Sequence, residues 1–377
     1  MSRRNVVVIA LASGLHERKR YEDFLARYST LFRKMDVKLL ESVVSDDVAL
    51  ERFALKQVSY PIILFLTGGT SKLAVKLGSR LGKPLLLLSY GYNNSLPSTL
   101  SAKARLELSG ARVKVLFSEE PEQIEAKLAT YLRCVEAVEG IRNSRMGLLW
   151  SSEKDGDVLS FERALGVNIL RFSEEALEAV MSEVSDASAE RALVDIASAL
   201  DVKRLPKEHA KKVAKVYLAF KKLVEAERLD AITLDCFPFA MKYGVTPCLA
   251  LSLLNDEGVA AACEADFRAL LLMLLAQKLT GLPGWMANPS SASGDRLVLA
   301  HCTVATKLVS RPFLTDHFET RYPSAVSGEM PKGLYTMMAL DPSYNVLMAT
   351  RVELLESGMI SDIRCRTQAE LKLLSIT

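Results

Sequence analysis

Three side chains of types that carry protons or hold cations lie in one short stretch late in the chain. They are Glu264 in AlaAlaCysGluAlaAsp (Ala261–Asp266), Asn288 in TrpMetAlaAsnPro (Trp285–Pro289) and His301 in LeuAlaHisCysThrValAla (Leu299–Ala305). A further carboxylate, Asp235, opens AspCysPheProPheAlaMetLysTyrGlyValThrProCys (Asp235–Cys248), and LeuAsnAspGluGly follows at Leu254–Gly258. Carboxylates and imidazoles do general acid and base work, and with an amide oxygen they also suit a hard divalent cation. Each residue has a plain structural reading as well. Acids such as Glu264 and Asp266 are commonplace at helix starts, and a lone strand histidine commonly serves as a hydrogen-bonded core or rim residue.

The elements around these residues decide whether they can act together. Asp235 closes a strand beginning at Ala231, Glu264 falls where a short strand Val259–Cys263 gives way to a helix Ala265–Leu279, and His301 ends a strand Leu297–His301. Strand ends facing helix N-termini are where α/β sheets place ligands, and a helix dipole favours an ionised carboxylate there. The pattern predicts that Asp235, Glu264, Asn288 and His301 converge on one cleft at the C-terminal ends of the strands.

Upstream, continuous apolar runs alternate with charged amphipathic stretches: strands at Asn5–Ala10, Val37–Leu40, Ile62–Leu66, Leu85–Leu88 and Arg112–Phe117, helices around Lys19–Met35, Asp46–Lys56 and Pro121–Val138. Such alternation predicts a parallel sheet covered on both faces. A second series runs from Met146 to the helix His209–Arg228, with Ser173 opening a helix. After Asn288 short strands separated by Pro, Gly and Ser turns follow, namely Leu297–His301, Leu334–Leu340, Val346–Ser357 and Met359–Arg364. The expected fold class is therefore α/β, doubly wound parallel-sheet domains followed by a β-rich C-terminal module. The expected domains are 1–141, 142–287 and 288–377.

The segments GlyValThrProCysLeuAlaLeuSerLeuLeuAsnAspGluGly (Gly244–Gly258), AlaAlaCysGluAlaAsp, TrpMetAlaAsnPro and LeuAlaHisCysThrValAla resemble the core of the L-fucose isomerase-like family, related to L-arabinose isomerase. The close resemblance runs from roughly Asp235 to Gln368, with only the pattern shared upstream. It implies a sugar ketol isomerase that interconverts aldose and ketose through an enediol, commonly with manganese, in a homo-oligomer. Glu264 matches the family's catalytic, metal-binding glutamate. Asp235 is the second candidate catalytic carboxylate, Asn288 and His301 are candidate substrate contacts, and Glu264, Asn288 and His301 form the candidate metal set. Two departures stand out. Asn288 follows Ala287 where the family has an Asp, and an amide cannot carry a proton; the family's C-terminal histidine segment has no counterpart before Thr377. The alternative function is a non-catalytic sugar-binding or regulatory protein that keeps the isomerase fold.

Bulk composition narrows the classes further. Net charge is +3 and the basic residues are dispersed, which gives no footprint for nucleic acid or a membrane surface. The longest apolar run, Ala269–Ala276, is too short to span a bilayer, and Val6–Ala10 reads as a first strand rather than a secretion signal. The six cysteines are scattered without a CxxC pair, as in a reduced, cytoplasmic protein. Four glutamines beside many Lys, Arg and Glu resemble a thermophile's balance. ThrGlyGlyThrSer at Thr67–Ser71 and SerTyrGlyTyrAsnAsn at Ser89–Asn94 read as strand-end loops able to line a sugar site or simply to turn the chain. Cys236, Cys263 and Cys302 flank the three candidate elements and read as small hydrophobes, with a catalytic Cys–His pair as the alternative.

Overall fold

Segments such as VVVIAL at β1 (Val6–Leu11) and YPIILF at β3 (Tyr60–Phe65) have no polar face to give to water, so they are stable as strands covered on both sides. The computed structural model describes residues 5–51, 58–149 and 155–374, and divides into two units, residues 1–136 and 137–377. In the first unit β1 and β3 join β2 (Lys38–Leu39), β4 (Leu85–Tyr90) and β5 (Val113–Ser118) in an all-parallel sheet of order β2-β1-β3-β4-β5. The period-two alternation of a strand is visible in its cores. Val6, Val8 and Ala10 pack with Tyr28 and Phe32 on one face, while Ile9 and Leu11 pack with Leu73 and Leu77 on the other.

The second unit repeats this scheme and then changes class. β6 (Met146–Leu149), β7 (Ile169–Phe172), β8 (Ala231–Leu234) and β9 (Ala260–Ala262) form a parallel sheet of order β7-β6-β8-β9. Beyond it β10 (Asn288–Ser293), β11 (Arg296–His301), β14 (Gly333–Leu340), β15 (Leu347–Gly358) and β16 (Thr367–Leu373) build an antiparallel sheet of order β10-β11-β16-β15-β14. β12 (Ser310–Asp316) and β13 (Pro323–Glu329) pair as a separate antiparallel hairpin. The fold class is thus parallel α/β with a β-rich C-terminal region.

Several local expectations change. The predicted strand Met359–Arg364 is a loop, because the Gln368 side chain takes over its backbone groups. Ser361 N–H donates to Gln368 Oε1 at 3.0 Å, and Gln368 Nε2 donates to Ser361 O at 2.7 Å and Cys365 O at 3.0 Å. The helix expected over Asp46–Lys56 is described only as Asp47–Glu51, its remainder lying outside the described residues. The helix expected from Ala265 begins at Phe267 and runs to Thr280, for a reason found at the site itself.

Candidate functional site

β9 is the edge strand of its sheet, and an edge leaves backbone groups that need partners. Asn255 supplies them. Its Nδ2 donates to Ala261 O at 2.8 Å and its Oδ1 accepts from Ala261 N–H at 3.1 Å, while Nδ2 also reaches Leu251 O at 2.8 Å. Asn255 lies at the end of the helix Cys248–Asp256, which Gly258, at φ +92°, turns back into β9. The amide therefore fixes the strand that delivers Glu264.

The chain leaves β9 by an uncommon route. Glu264 and Ala265 have φ of 61° and 47°, two successive non-glycine residues in the left-handed region, where an L-residue costs about 1–2 kcal/mol. Ala265 N–H is held by Leu234 O at 2.7 Å and Asp266 N–H by Cys263 O at 3.1 Å. Asp266 then caps the helix, its Oδ1 accepting from Arg268 N–H at 2.9 Å and Ala269 N–H at 3.0 Å. So Asp266 is an ordinary helix cap, and Glu264 is not. Strain of this kind gathers at functional sites, where surrounding contacts over-determine it.

The left-handed turn aims the Glu264 carboxylate at His301. Glu264 Oε1 lies 3.5 Å from His301 Nε2, the glutamate side chain 37% exposed and the histidine 4%. That separation falls outside hydrogen-bond geometry, so the buried Nε2 has no hydrogen-bond partner. An unpaired buried nitrogen of this kind calls for an explanation. On the other side of the ring, Nδ1 accepts from Thr303 N–H at 3.3 Å. An accepting Nδ1 puts the imidazole proton on Nε2, the atom facing Glu264.

The segment after β11 is latched to the helix Cys248–Asp256, which positions the ring. Thr303 Oγ1 donates to Cys248 O at 2.9 Å, Ser252 Oγ donates to Val304 O at 2.6 Å, and Asp256 Oδ2 accepts from Thr306 Oγ1 at 2.6 Å. Trp285 Nε1 adds a bond to Thr303 O at 2.9 Å. Much of the sequence motif at Gly244–Gly258 and Leu299–Ala305 is this scaffold.

Of the four residues expected to converge, Glu264 and His301 meet. Asp235 sits half-buried just past β8, next to Leu234, whose carbonyl holds Ala265 N–H. Asn288 is exposed on β10, its backbone paired with that of Ala300, the residue before His301. A cleft of about 360 Å³ opens at Glu264, lined also by Asp157, Ser160, Asp266, Arg268 and Tyr344. A wider groove of about 1140 Å³ runs between Ala197–Arg204 and the Gly358 loop. It contains none of the four residues, and the smaller cleft is lined by Glu264 alone of them.

A divalent metal needs several converging donors. Among the described residues no three His, Cys, Asp or Glu side chains are grouped to hold one, and the Thr303 amide leaves the facing nitrogen of His301 protonated rather than free to ligate. The residues present do not fit the metal site that the resemblance implies.

A second group lies beside the first, in which sequence reasoning singled out Cys302 but not its neighbours Cys365 and His317. Cys302 and Cys365 pack in one cluster with Cys248, Phe318 and Ala325. The Cys302 sulfur is hydrogen-bonded by the Cys365 thiol and by His317, which together hold it below the usual thiol range against the opposing effect of burial. The same bond pushes Cys365 up. Burial, the largest single effect, pulls His317 down, but its bond to Cys302 together with the charges of Cys302 and Glu319 outweighs that and raises it. Here His317 stands in the turn of the β12–β13 hairpin, two strands that had no clear alternation to reveal them.

No family model matches the chain. Curated relatives do. A sulfoquinovose isomerase of Clostridium sp. (strain MSTE9) is 26% identical over 232 residues, 58% of this chain and 51% of that protein. Another from Alkalicoccus urumqiensis is 22% identical over 231 residues, 58% and 52% of the two chains. One from Priestia aryabhattai is 32% identical over 75 residues, 20% and 17% respectively. The chain spans about half the length of the longest-matching relatives. No helix among the described residues is long and apolar enough to cross a membrane. By these likenesses the chain is a homologue, at modest identity, of sugar isomerases named for sulfoquinovose.

Proposed function

We propose that this chain is a sugar aldose-ketose isomerase, acting on a sulfoquinovose-like or related aldose, with Glu264 as the proton carrier. The observation that carries the reading is the Glu264 carboxylate, which lines a cleft, held 3.5 Å from the buried, unpaired Nε2 of His301. Isomerisation through an enediol needs a base that removes the proton beside the carbonyl and returns it to the neighbouring carbon. A carboxylate on a strained turn, partly exposed beside a protein wall, suits both transfers. The Nε2–H of His301 is placed to donate to the oxygen that gains charge in the enediolate, an interaction strengthened by burial. Asp235 is a second candidate proton carrier, and Asn288 a candidate hydroxyl contact at the rim. The similarity to proteins named sulfoquinovose isomerase supports the reaction class and suggests the substrate. A cytoplasmic homo-oligomer is the setting we propose for it.

The test is a panel of sulfoquinovose and neutral aldoses, followed by proton NMR for the ketose. Conversion of any member supports the reading. No conversion across the panel, together with saturable binding of the same sugars, would leave the non-catalytic sugar-binding function in its place.

A further inference from the structure

We infer that Cys302 and Cys365 form a reversible redox pair, a site where a hydroperoxide oxidises this protein to an intramolecular disulfide. Backbone pairing brings the two segments together. β11 and β16 end their ladder at His301 opposite Thr367, so Cys302 lies one residue and Cys365 two residues beyond the last paired positions. The side chains then pack in a single cluster with Phe318 and Ala325. All six cysteines are free thiols.

Three features separate this pair from the other close pair, Cys236 and Cys263, which are also hydrogen-bonded to each other. Cys302 is buried but its partner Cys365 is only partly so, which lets a small oxidant reach the edge of the pair, whereas Cys236 and Cys263 are both buried. The Cys302 sulfur has an imidazole beside it in His317, whereas the Cys263 thiol is pushed up by the Cys236 contact and by burial. His317 is also fixed in place: its Nδ1 accepts from Thr320 N–H at 3.3 Å, so its proton sits on Nε2. A neighbouring imidazole N–H stabilises negative charge developing on sulfur, and thiolate character governs reactivity.

The chemistry balances with one equivalent of peroxide. The Cys302 sulfur attacks one peroxide oxygen and breaks the O–O bond; the departing oxygen takes the thiol proton and leaves as water, so Cys302 becomes a sulfenic acid. The Cys365 sulfur then attacks the Cys302 sulfur, the S–O bond breaks, and hydroxide leaves as a second water with the Cys365 proton. Two thiols are oxidised by two electrons and the peroxide is reduced. A dithiol reverses the bond by exchange. The product tethers the residue next to His301 to the loop that precedes β16.

The experiment treats the whole protein with one equivalent of hydrogen peroxide, blocks remaining thiols, and maps cysteines by mass spectrometry. The expected result is loss of two thiols per chain, a Cys302–Cys365 linked peptide, and full recovery with dithiothreitol. Cys365→Ser is expected to abolish the link and leave a Cys302 sulfenic acid that dimedone traps. His317→Gln should slow thiol loss by on the order of 10²-fold, the lower end of what removing one charge-stabilising donor costs. An unchanged thiol count, a Cys236–Cys263 link instead, or equal oxidation of all cysteines would each overturn the inference. The wild-type peptide map decides this even if a variant fails to fold, and it does not depend on the sugar chemistry proposed above.

Discussion

Replacing Asn255 by Ala tests how Glu264 is held. Asn255 is 5% exposed and Ala261 1%, and the substitution removes the donor to Ala261 O and the acceptor for Ala261 N–H together. A buried polar group left without a partner costs about 1–3 kcal/mol. Two such groups on one edge strand give a loss of roughly 2–4 kcal/mol, the lower end applying if water enters the gap. With an m-value of roughly 3 kcal/mol/M for a chain of this size, the urea midpoint falls by about 1 M. Tryptophan fluorescence follows the transition, since Trp285 is bonded to the segment that Asn255's helix supports. The expected companion effect is a drop in turnover, because β9 sets the turn at Glu264. A loss below about 0.5 kcal/mol, the range of a neutral surface change, would refute the claim that this amide closes the sheet edge.

Three further outcomes follow from the same structure. Asp316→Ala strips the carboxylate from Arg366, whose side chain is 4% exposed and paired at 2.8 Å to an Asp316 that is itself 40% exposed; a loss of about 1–3 kcal/mol is expected by urea unfolding, and a change under about 0.5 kcal/mol would show that water already screens the pair. Asp341 is held down to about 2 by the Ser343 hydroxyl and by the Val346, Ser343 and Asn345 amides. Its folded pKa lies below the unfolded one, so its stabilising contribution is complete above the ordinary carboxylate range and fades as pH falls through about 2; NMR titration of its carboxyl carbon with a midpoint near 4 would contradict this. Light scattering at micromolar concentration is expected to give a homo-oligomer, and a clean monomer mass would remove that part of the proposal.

The sequence made the parallel sheets legible because buried strands such as Ile62–Phe65 and Leu85–Leu88 are unbroken apolar runs bounded by helix signals. The antiparallel region was less legible. β10 is Asn-Pro-Ser-Ser-Ala-Ser, fully exposed and without hydrophobic alternation, and β13 is buried along nearly its whole length with Ser and Gly in it, so neither carries a period-two pattern. Met359–Arg364 looked like a strand from composition, yet Gln368 satisfies its backbone from the side, a long-range effect no local pattern contains. At the site, Glu264 and His301 stood out by residue type and by resemblance, and the structure brings them together. The left-handed turn at Glu264–Ala265 was hidden because neither residue is glycine. Thr303 as the group that sets the His301 tautomer, and His317 beside Cys302, depend on pairings between distant segments that spacing alone does not reveal.

The central claim is that Glu264 moves the proton in an aldose-ketose isomerisation. The direct measurement is deuterium incorporation from D₂O at C2 of the sugar, read by proton NMR on wild-type and Glu264→Gln proteins with matching circular dichroism. The account predicts exchange or conversion by the wild type and a loss on the order of 10²- to 10⁴-fold or more in the variant, the contribution of a positioned base. Equal exchange by both proteins, or none by the wild type on any sugar it binds, would contradict it.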